Sequence, residues 1–305
     1  MDIDKNFYQE EVRCDYLVNE KMKKIWAIQL DLLNKLLEVC KKHDIKVFAF
    51  AGTLLGAVRH KGFIPWDDDV DVCMERKEYE KFLKVCKDEF PHPYFLQTAL
   101  TDQRYFCGYA RLRNSNTTGI ICLHKTSAYN CGIYIDIFVL DGYVGNNLKF
   151  KLQMHKKRVI ETLSKAYNYD LDGLNRYKKF IGIFKFLKKF VRLISYEWYV
   201  KAYNKILEKY NGKTEKLSFL THTNKTINNY WLYAYDLSET HYMDFESIKV
   251  PVPKNYDSVL RNTYGNYMEF PPVEKRGQWH SGVITYEPDI PYKEYMTKER
   301  GYLDD

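Results

Sequence analysis

The stretch 51–72, AGTLLGAVRHKGFIPWDDDVDV, decides how this 305-residue chain is read. It grows out of a short apolar run, Val47-Phe48-Ala49-Phe50-Ala51, with the length and composition of a buried strand. That strand is expected to end at Gly52-Thr53, where a residue without Cβ lets the backbone approach a ligand. A second small-residue turn is expected at Gly56-Ala57, and Arg59, His60 and Lys61 then add positive charge. Beyond Pro65-Trp66 stand four carboxylates within five residues: Asp67, Asp68, Asp69 and Asp71. On a strand, i and i+2 share a face, so Asp69 and Asp71 point together while Val70 and Val72 enter a core. Carboxylates held so close repel unless a cation sits between them. Hard oxygen ligands suit Mg²⁺ or Mn²⁺, and such sites usually also bind substrate phosphates. The stretch therefore reads as a phosphate cradle, Gly52 and Thr53, followed by a metal clamp.

Competing readings explain less. An acidic surface turn leaves the interleaved valines unexplained. A calcium loop would need Gly at its sixth position, where Val72 stands, and no acidic helix precedes it. A nucleotide-sugar glycosyltransferase with an Asp-x-Asp metal site is the serious rival. Against it, a single strand precedes the acidic pair, too little chain for the nucleotide-binding half such folds place first.

Upstream, residues 19–43 carry Ile25, Ile28, Leu32, Leu36 and Val39 at helical spacing. Residues 75–90 read as a second helix ended by Pro91 and Pro93. Residues 105–113 read as a strand with Arg111 and Arg113 on one face, either as solvent-facing charges or as phosphate ligands. In the strand 130–140, NCGIYIDIFVL, Asp136 falls in the middle of an apolar run, where burial without a partner is costly. Asp136 is either half of an interior salt bridge or faces the same cation as Asp69 and Asp71. Asp141, at the end of that run, reads as a turn or cap.

Residues 148–240 turn helical, basic and aromatic. Over 178–198, Phe180, Phe184, Leu187, Val191, Ile194 and Trp198 follow helical spacing among lysines. This is either a packed helix with a solvated basic face or one lying in the plane of an anionic membrane.

The composition is that of a globular protein: 45% hydrophobic residues, with 27 Tyr, 17 Phe and 5 Trp. A net charge of +7 suits an anionic partner but is too mild and dispersed to argue for nucleic acid. Seven scattered cysteines without a C-x-x-C pair fit a reduced, cytoplasmic setting, and indicate neither a disulfide framework nor a zinc site. The first 20 residues lack the apolar core of a signal peptide, and no run of about 18 apolar residues predicts a membrane span.

Two motifs, G-T-L-L-G-A-V-R at 52–59 and G-F-I-P-W-D-D-D-V-D at 62–71, carry a resemblance to the LicD family. That family comprises phosphocholine and related phospho-alditol transferases, with the fukutin-related proteins sharing a similar domain. The resemblance implies an α+β, nucleotidyltransferase-like mixed sheet core with flanking helices, here with a helical, basic-aromatic subdomain. The expected division is a core at 1–147, the helical part at 148–240, and 241–305 completing the catalytic domain. It further implies Asp136 as the third metal ligand and a phosphate role for Arg111 or Arg113, ahead of Asn116-Thr117. Asp69, Asp71 and Asp136 would hold Mg²⁺ or Mn²⁺, and Asp136 would activate the acceptor. Arg59 would offset phosphate charge, and Asp67 would orient the site or add a ligand. Near the C-terminus, Tyr264-Gly265-Asn266-Tyr267 and Pro271-Pro272 resemble the family's closing motif, with Asn266 where Asp is usual. Arg276 and His280 follow as candidate phosphate contacts or surface residues. The implied partners are a CDP-linked donor, CDP-choline favoured, and a lipid-linked glycan acceptor, met at the inner face of the cell membrane. A nucleotidyltransferase using a nucleoside triphosphate, and a glycan-binding pseudoenzyme, are the alternatives.

Overall fold

The computed structural model of the chain describes residues 1, 3–86, 88–121, 129–168, 188–277 and 283–301. In chain order the strands are β1 (Glu11–Arg13), β2 (Tyr16–Val18), β3 (Phe48–Ala49), β4 (Asp71–Glu75), β5 (Tyr94–Gln97), β6 (Ala110–Asn114) and β7 (Thr118–Ile121). They continue with β8 (Ile133–Gly142), β9 (Lys216–Ser218), β10 (Trp231–Tyr233), β11 (Thr240–Phe245), β12 (Ile248–Pro253) and β13 (Val283–Glu287). The helices are α1 (Glu20–Lys42), α2 (Ala51–His60), α3 (Arg76–Val85), α4 (Leu148–Asn168), α5 (Tyr196–Leu207), α6 (Asn224–Asn229), α7 (Tyr256–Tyr264) and α8 (Tyr292–Gly301).

The fold is α+β, a mixed sheet of seven strands with flanking helices. β8 is its spine, and all ten of its residues are buried, as expected of a strand covered on both faces. Along one edge β8 pairs in parallel with β4, which pairs antiparallel with β3. Along the other edge it pairs antiparallel with β6 over its first half and with β9 at its end. Helix α1 lies over the sheet because Trp26, Leu30, Leu33 and Leu36 form a fully buried stripe. Its start is fixed by Asn19, whose side chain accepts from Met22 N at 2.9 Å. The β11–β12 hairpin braces the 61–66 loop from outside, with Phe245 on Phe63 and Phe63 stacked on Trp26 at 4.6 Å.

Several expectations shift. The two small-residue turns at Gly52-Thr53 and Gly56-Ala57 are consecutive turns of one helix, α2, which starts directly after the two-residue β3. With no proline before Pro65, the helix runs until Lys61 adopts a left-handed conformation, φ 55°. The acidic strand begins at Asp71 rather than Asp67, and residues 67–70 reach it outside any regular element, with burial alternating along them. Asp141 is no cap: it lies inside β8, fully buried, where Arg76 grips it with Nε at 2.9 Å and Nη2 at 2.5 Å. The helix expected over 178–198 lies partly outside the described residues. Within them it breaks at 192–195, and Ser195 caps a new helix by accepting from Trp198 N. Among the described residues no helix is long and apolar enough to cross a membrane.

Candidate active site

The site forms where β4, β8 and the start of α2 meet. Asp71 opens β4 and stands in register with Asp136 on β8. The preceding chain is pinned in place by α1: Trp26 Nε1 donates to Asp67 O at 3.0 Å, and Gln29 Nε2 to Asp68 O at 2.7 Å. From the other side Tyr286 Oη donates to Asp68 O. Burial alternates over 67–71, and Asp67, Asp69 and Asp71 line the same cleft, an open space of about 1220 Å³. Asp68 is turned inward and buried.

Facing these carboxylates is the N-terminus of α2. The N–H groups of Ala51, Gly52 and Thr53 have no acceptor one turn back, because Phe50 makes no side-chain cap. Ala51 holds a positive φ of 45° to start the helix there. Gly52 is needed for close approach: a Cβ on it would stand 2.6 Å from Asp67 Oδ2. Thr53 is buried, and its hydroxyl accepts from Asp71 N at 2.8 Å, tying helix to strand.

The electrostatics are those of an uncompensated acidic cluster. Burial and the neighbouring carboxylates Asp69 and Asp68 push Asp67 well above the usual carboxylate range. Burial, with Asp68 and Asp136 nearby, pushes Asp69 up to about 7. Asp71 is likewise raised, by burial first and then by Asp69 and Asp136. Asp67, Asp68 and Asp69 each offer an oxygen within 4.8 Å of the others, a group that could hold a metal ion. This closest set overlaps the expected Asp69, Asp71 and Asp136 only at Asp69. The fit to a hard divalent cation rests on an all-oxygen donor set, unrelieved repulsion and a cradle that a Cβ would fill.

Asp136 combines both sequence readings. It contributes to the field on Asp69 and Asp71, and it is ion-paired with Arg111, whose Nε donates to Oδ1 at 2.5 Å. Arg111 is boxed by the rings of Tyr105, Tyr109 and Tyr134, the last 4.0 Å from its guanidinium carbon. Arg113, on the same face, is fully buried and donates to Gln97 Oε1 and Gly132 O at 2.5 Å each. Of the pair, Arg111 is therefore the one at the carboxylates. Arg59 lines the cleft, with Nη1 donating to Tyr267 O and Glu269 O and its plane over Phe270. Arg276 lies behind the wall, donating to Pro271 O and Cys14 O across the faces of Trp66 and Phe270. His280 lies outside the described residues.

Sequence reasoning passed over His222, Lys225 and Tyr230, which also line the cleft. They come from the β9–β10 connection and belong to no recognisable pattern. Tyr264 sits inside the Tyr-Gly-Asn-Tyr motif, and its ring meets Tyr230 edge-on at 5.9 Å. His222 packs among Tyr109, Phe138 and Phe219, and burial drops it to about 4, so it is neutral.

A mixed sheet that sets an open helix N-terminus against an Asp-x-Asp strand, with a third Asp on the next strand, defines a nucleotidyltransferase-like enzyme core. Residues 44–161 match the LicD/FKTN/FKRP nucleotidyltransferase domain. A lipopolysaccharide cholinephosphotransferase LicD from Haemophilus influenzae is 26% identical over 267 residues, covering 82% of this chain and 92% of its own. Uncharacterised proteins from Rickettsia typhi and Rickettsia prowazekii are 29% and 33% identical over shorter stretches. These cover 28% and 35% of this chain and 40% and 36% of theirs.

Proposed function

We propose that the chain transfers phosphocholine from CDP-choline to a hydroxyl of a cell-surface glycan or its lipid-linked precursor, such as teichoic acid, capsule or lipopolysaccharide, and releases CMP. The observation that carries this reading is the row of Asp67, Asp69 and Asp71 on the cleft floor, opposite the open start of α2. The name of the Haemophilus relative, matched over most of both chains, favours phosphocholine as the group moved.

Asp69 and Asp71, with Asp136 and Asp67 beside them, would hold Mg²⁺ or Mn²⁺. Such an ion, when bound, neutralises charge on the donor phosphates and on departing CMP. The N–H groups of Ala51 to Thr53 bind phosphate oxygens, since a helix N-terminus favours anions. Arg59 adds positive charge along the wall. Tyr230 and Tyr264 offer ring faces for the cytosine. The acceptor oxygen bonds to the phosphorus of phosphocholine, the bond from that phosphorus to the CMP oxygen breaks, and the hydroxyl proton passes to Asp136. Arg111 fixes the orientation of that carboxylate through the transfer. In this reading residues 1–147 and 241–305 form the catalytic unit, and 148–240 a helical part. Exposed Phe190, Leu193 and Trp198, among basic residues, would rest on an anionic membrane surface where lipid-linked acceptors lie.

The test is nucleotide release from purified protein with CDP-choline, CDP-ribitol and CDP-glycerol, offered separately with Mg²⁺ and then with chelator. Chelator-sensitive CMP from CDP-choline is expected. CMP from one of the other donors would move the reading to that phospho-alditol. A nucleoside diphosphate released from a nucleotide sugar would overturn it.

A further inference from the structure

A second cavity of about 410 Å³ adjoins the cleft. His222 lines both spaces, and Arg111, the ion-pair partner of Asp136, lines the second. The two cavities therefore share His222, and the Arg111 of the second is bonded to Asp136, whose charge acts on Asp69 and Asp71 in the first.

The second cavity is chemically unlike the first. Its wall carries no part of the acidic row but four aromatic rings, Tyr105, Phe106, Tyr109 and Tyr203, with Phe106 edge-on to Tyr203 at 5.1 Å. Among the described residues four cations, Arg111, Lys157, Arg158 and Lys165, stand in it against one carboxylate, Glu161. Arg111 is matched by Asp136, and Lys165 by Glu161 at 2.5 Å. Buried Lys157 donates to two carbonyls, Thr221 O at 2.8 Å and His222 O at 2.9 Å, and shares the field of Glu161 with Lys165 without an ion pair of its own among the described residues. Arg158 stands exposed at the cavity. Three buried polar atoms in these walls have no hydrogen-bond partner among the described residues: Tyr105 Oη, Thr221 Oγ1 and His222 Nδ1. Orphaned polar groups are costly and mark places where a partner belongs.

We infer that this cavity is the acceptor chamber, shaped for a sugar or polyol that carries a phosphate or similar anionic group. The inference rests on the transferase reading and extends it to the second substrate. Displacement at phosphorus needs the attacking and leaving oxygens roughly in line, so donor and acceptor must arrive from different sides. The cleft offers the helix N-terminus and metal-binding carboxylates that a nucleotide donor requires. The second cavity offers what a sugar phosphate requires: ring faces for C–H surfaces, unpaired hydroxyls, and, among the described residues, more positive charge than acid.

The test uses glucose 6-phosphate and ribitol 5-phosphate as probes, with glucose and inorganic phosphate as controls, in ligand-observed NMR on the full chain. At least one sugar phosphate is expected to bind more tightly than either control, and saturating CMP with Mg²⁺ should leave it bound. Arg158→Glu should weaken that binding about tenfold, and Tyr105→Phe about threefold, both with an unchanged melting temperature. Displacement by CMP, equal binding of inorganic phosphate, indifference to Arg158→Glu, or no binding of either sugar phosphate would overturn the inference. If Mg²⁺-dependent CMP release persists in that case, the acceptor chamber alone has failed. If CMP release is also absent, the transferase reading has failed with it.

Discussion

Gly52 and Asp67 approach so closely that a single methyl group would not fit between them, the missing Cβ lying 2.6 Å from Asp67 Oδ2. The contact joins the first turn of α2 to the acidic row. Gly52→Ala should drive the carboxylate outward while favouring the helix, in which alanine is better than glycine by about 1 kcal/mol. We expect metal affinity to fall about 10- to 100-fold with no loss of melting temperature. Calorimetric Mn²⁺ titration of the variant checks this, and unchanged affinity would show that Asp67 takes no part in the site.

Asp69 makes metal-free stability depend on pH. Its folded value of about 7 lies above the 3.8 of the free side chain. Between those values the folded chain binds more protons than the unfolded one, so stability falls as pH rises through the window. Asp67 and Asp71, also raised, act in the same direction. Mg²⁺ should replace the protons, so its increment in melting temperature should grow from about pH 5 to about pH 8. Thermal melts with and without Mg²⁺ measure it, and a constant increment would exclude the cluster as the metal site.

Asp69→Asn removes one charge from the row. Metal-dependent CMP release should drop by about 10³-fold, while the metal-free protein melts higher because repulsion is relieved. A variant with near-normal turnover would remove Asp69 from the mechanism.

Arg76 and Asp141 form the buried pin between α3 and the end of β8, with Asn211 Nδ2 also donating to Asp141 at 2.9 Å. Arg76→Ala strands a fully buried carboxylate and should cost about 3–5 kcal/mol. Replacing both partners, Arg76→Met with Asp141→Leu, should recover most of that loss. Urea unfolding distinguishes the two, and equal destabilisation would mean the pair acts through packing alone.

Much of the architecture is legible in local pattern. The apolar spacing around Leu32 and Leu36 marks α1, and the run around Ile135 and Ile137 marks the central strand. Small residues at 52–57 mislead, since glycine and threonine there suit a turn as readily as a helix start. The helix is decided by what packs against it: Thr53 bonded to Asp71 N, and α2 held against the β11–β12 hairpin and α7. Asp141 misleads for a similar reason, because its partner Arg76 is 65 residues away.

By itself the sequence determined that Asp69 and Asp71 share a direction, because side chains on an extended chain alternate with a period of two. It also determined that Asp136 lies in an apolar strand, where a charge demands a partner. Only the tertiary structure decided that β4 and β8 run parallel with Asp71 opposite Asp136, and that Arg111 is the arginine meeting that carboxylate. It alone brought His222, Tyr230 and Tyr264 to the same cleft. Alternation is local and can be read along the chain, whereas register and ion pairing depend on which distant segments bury each other's surfaces.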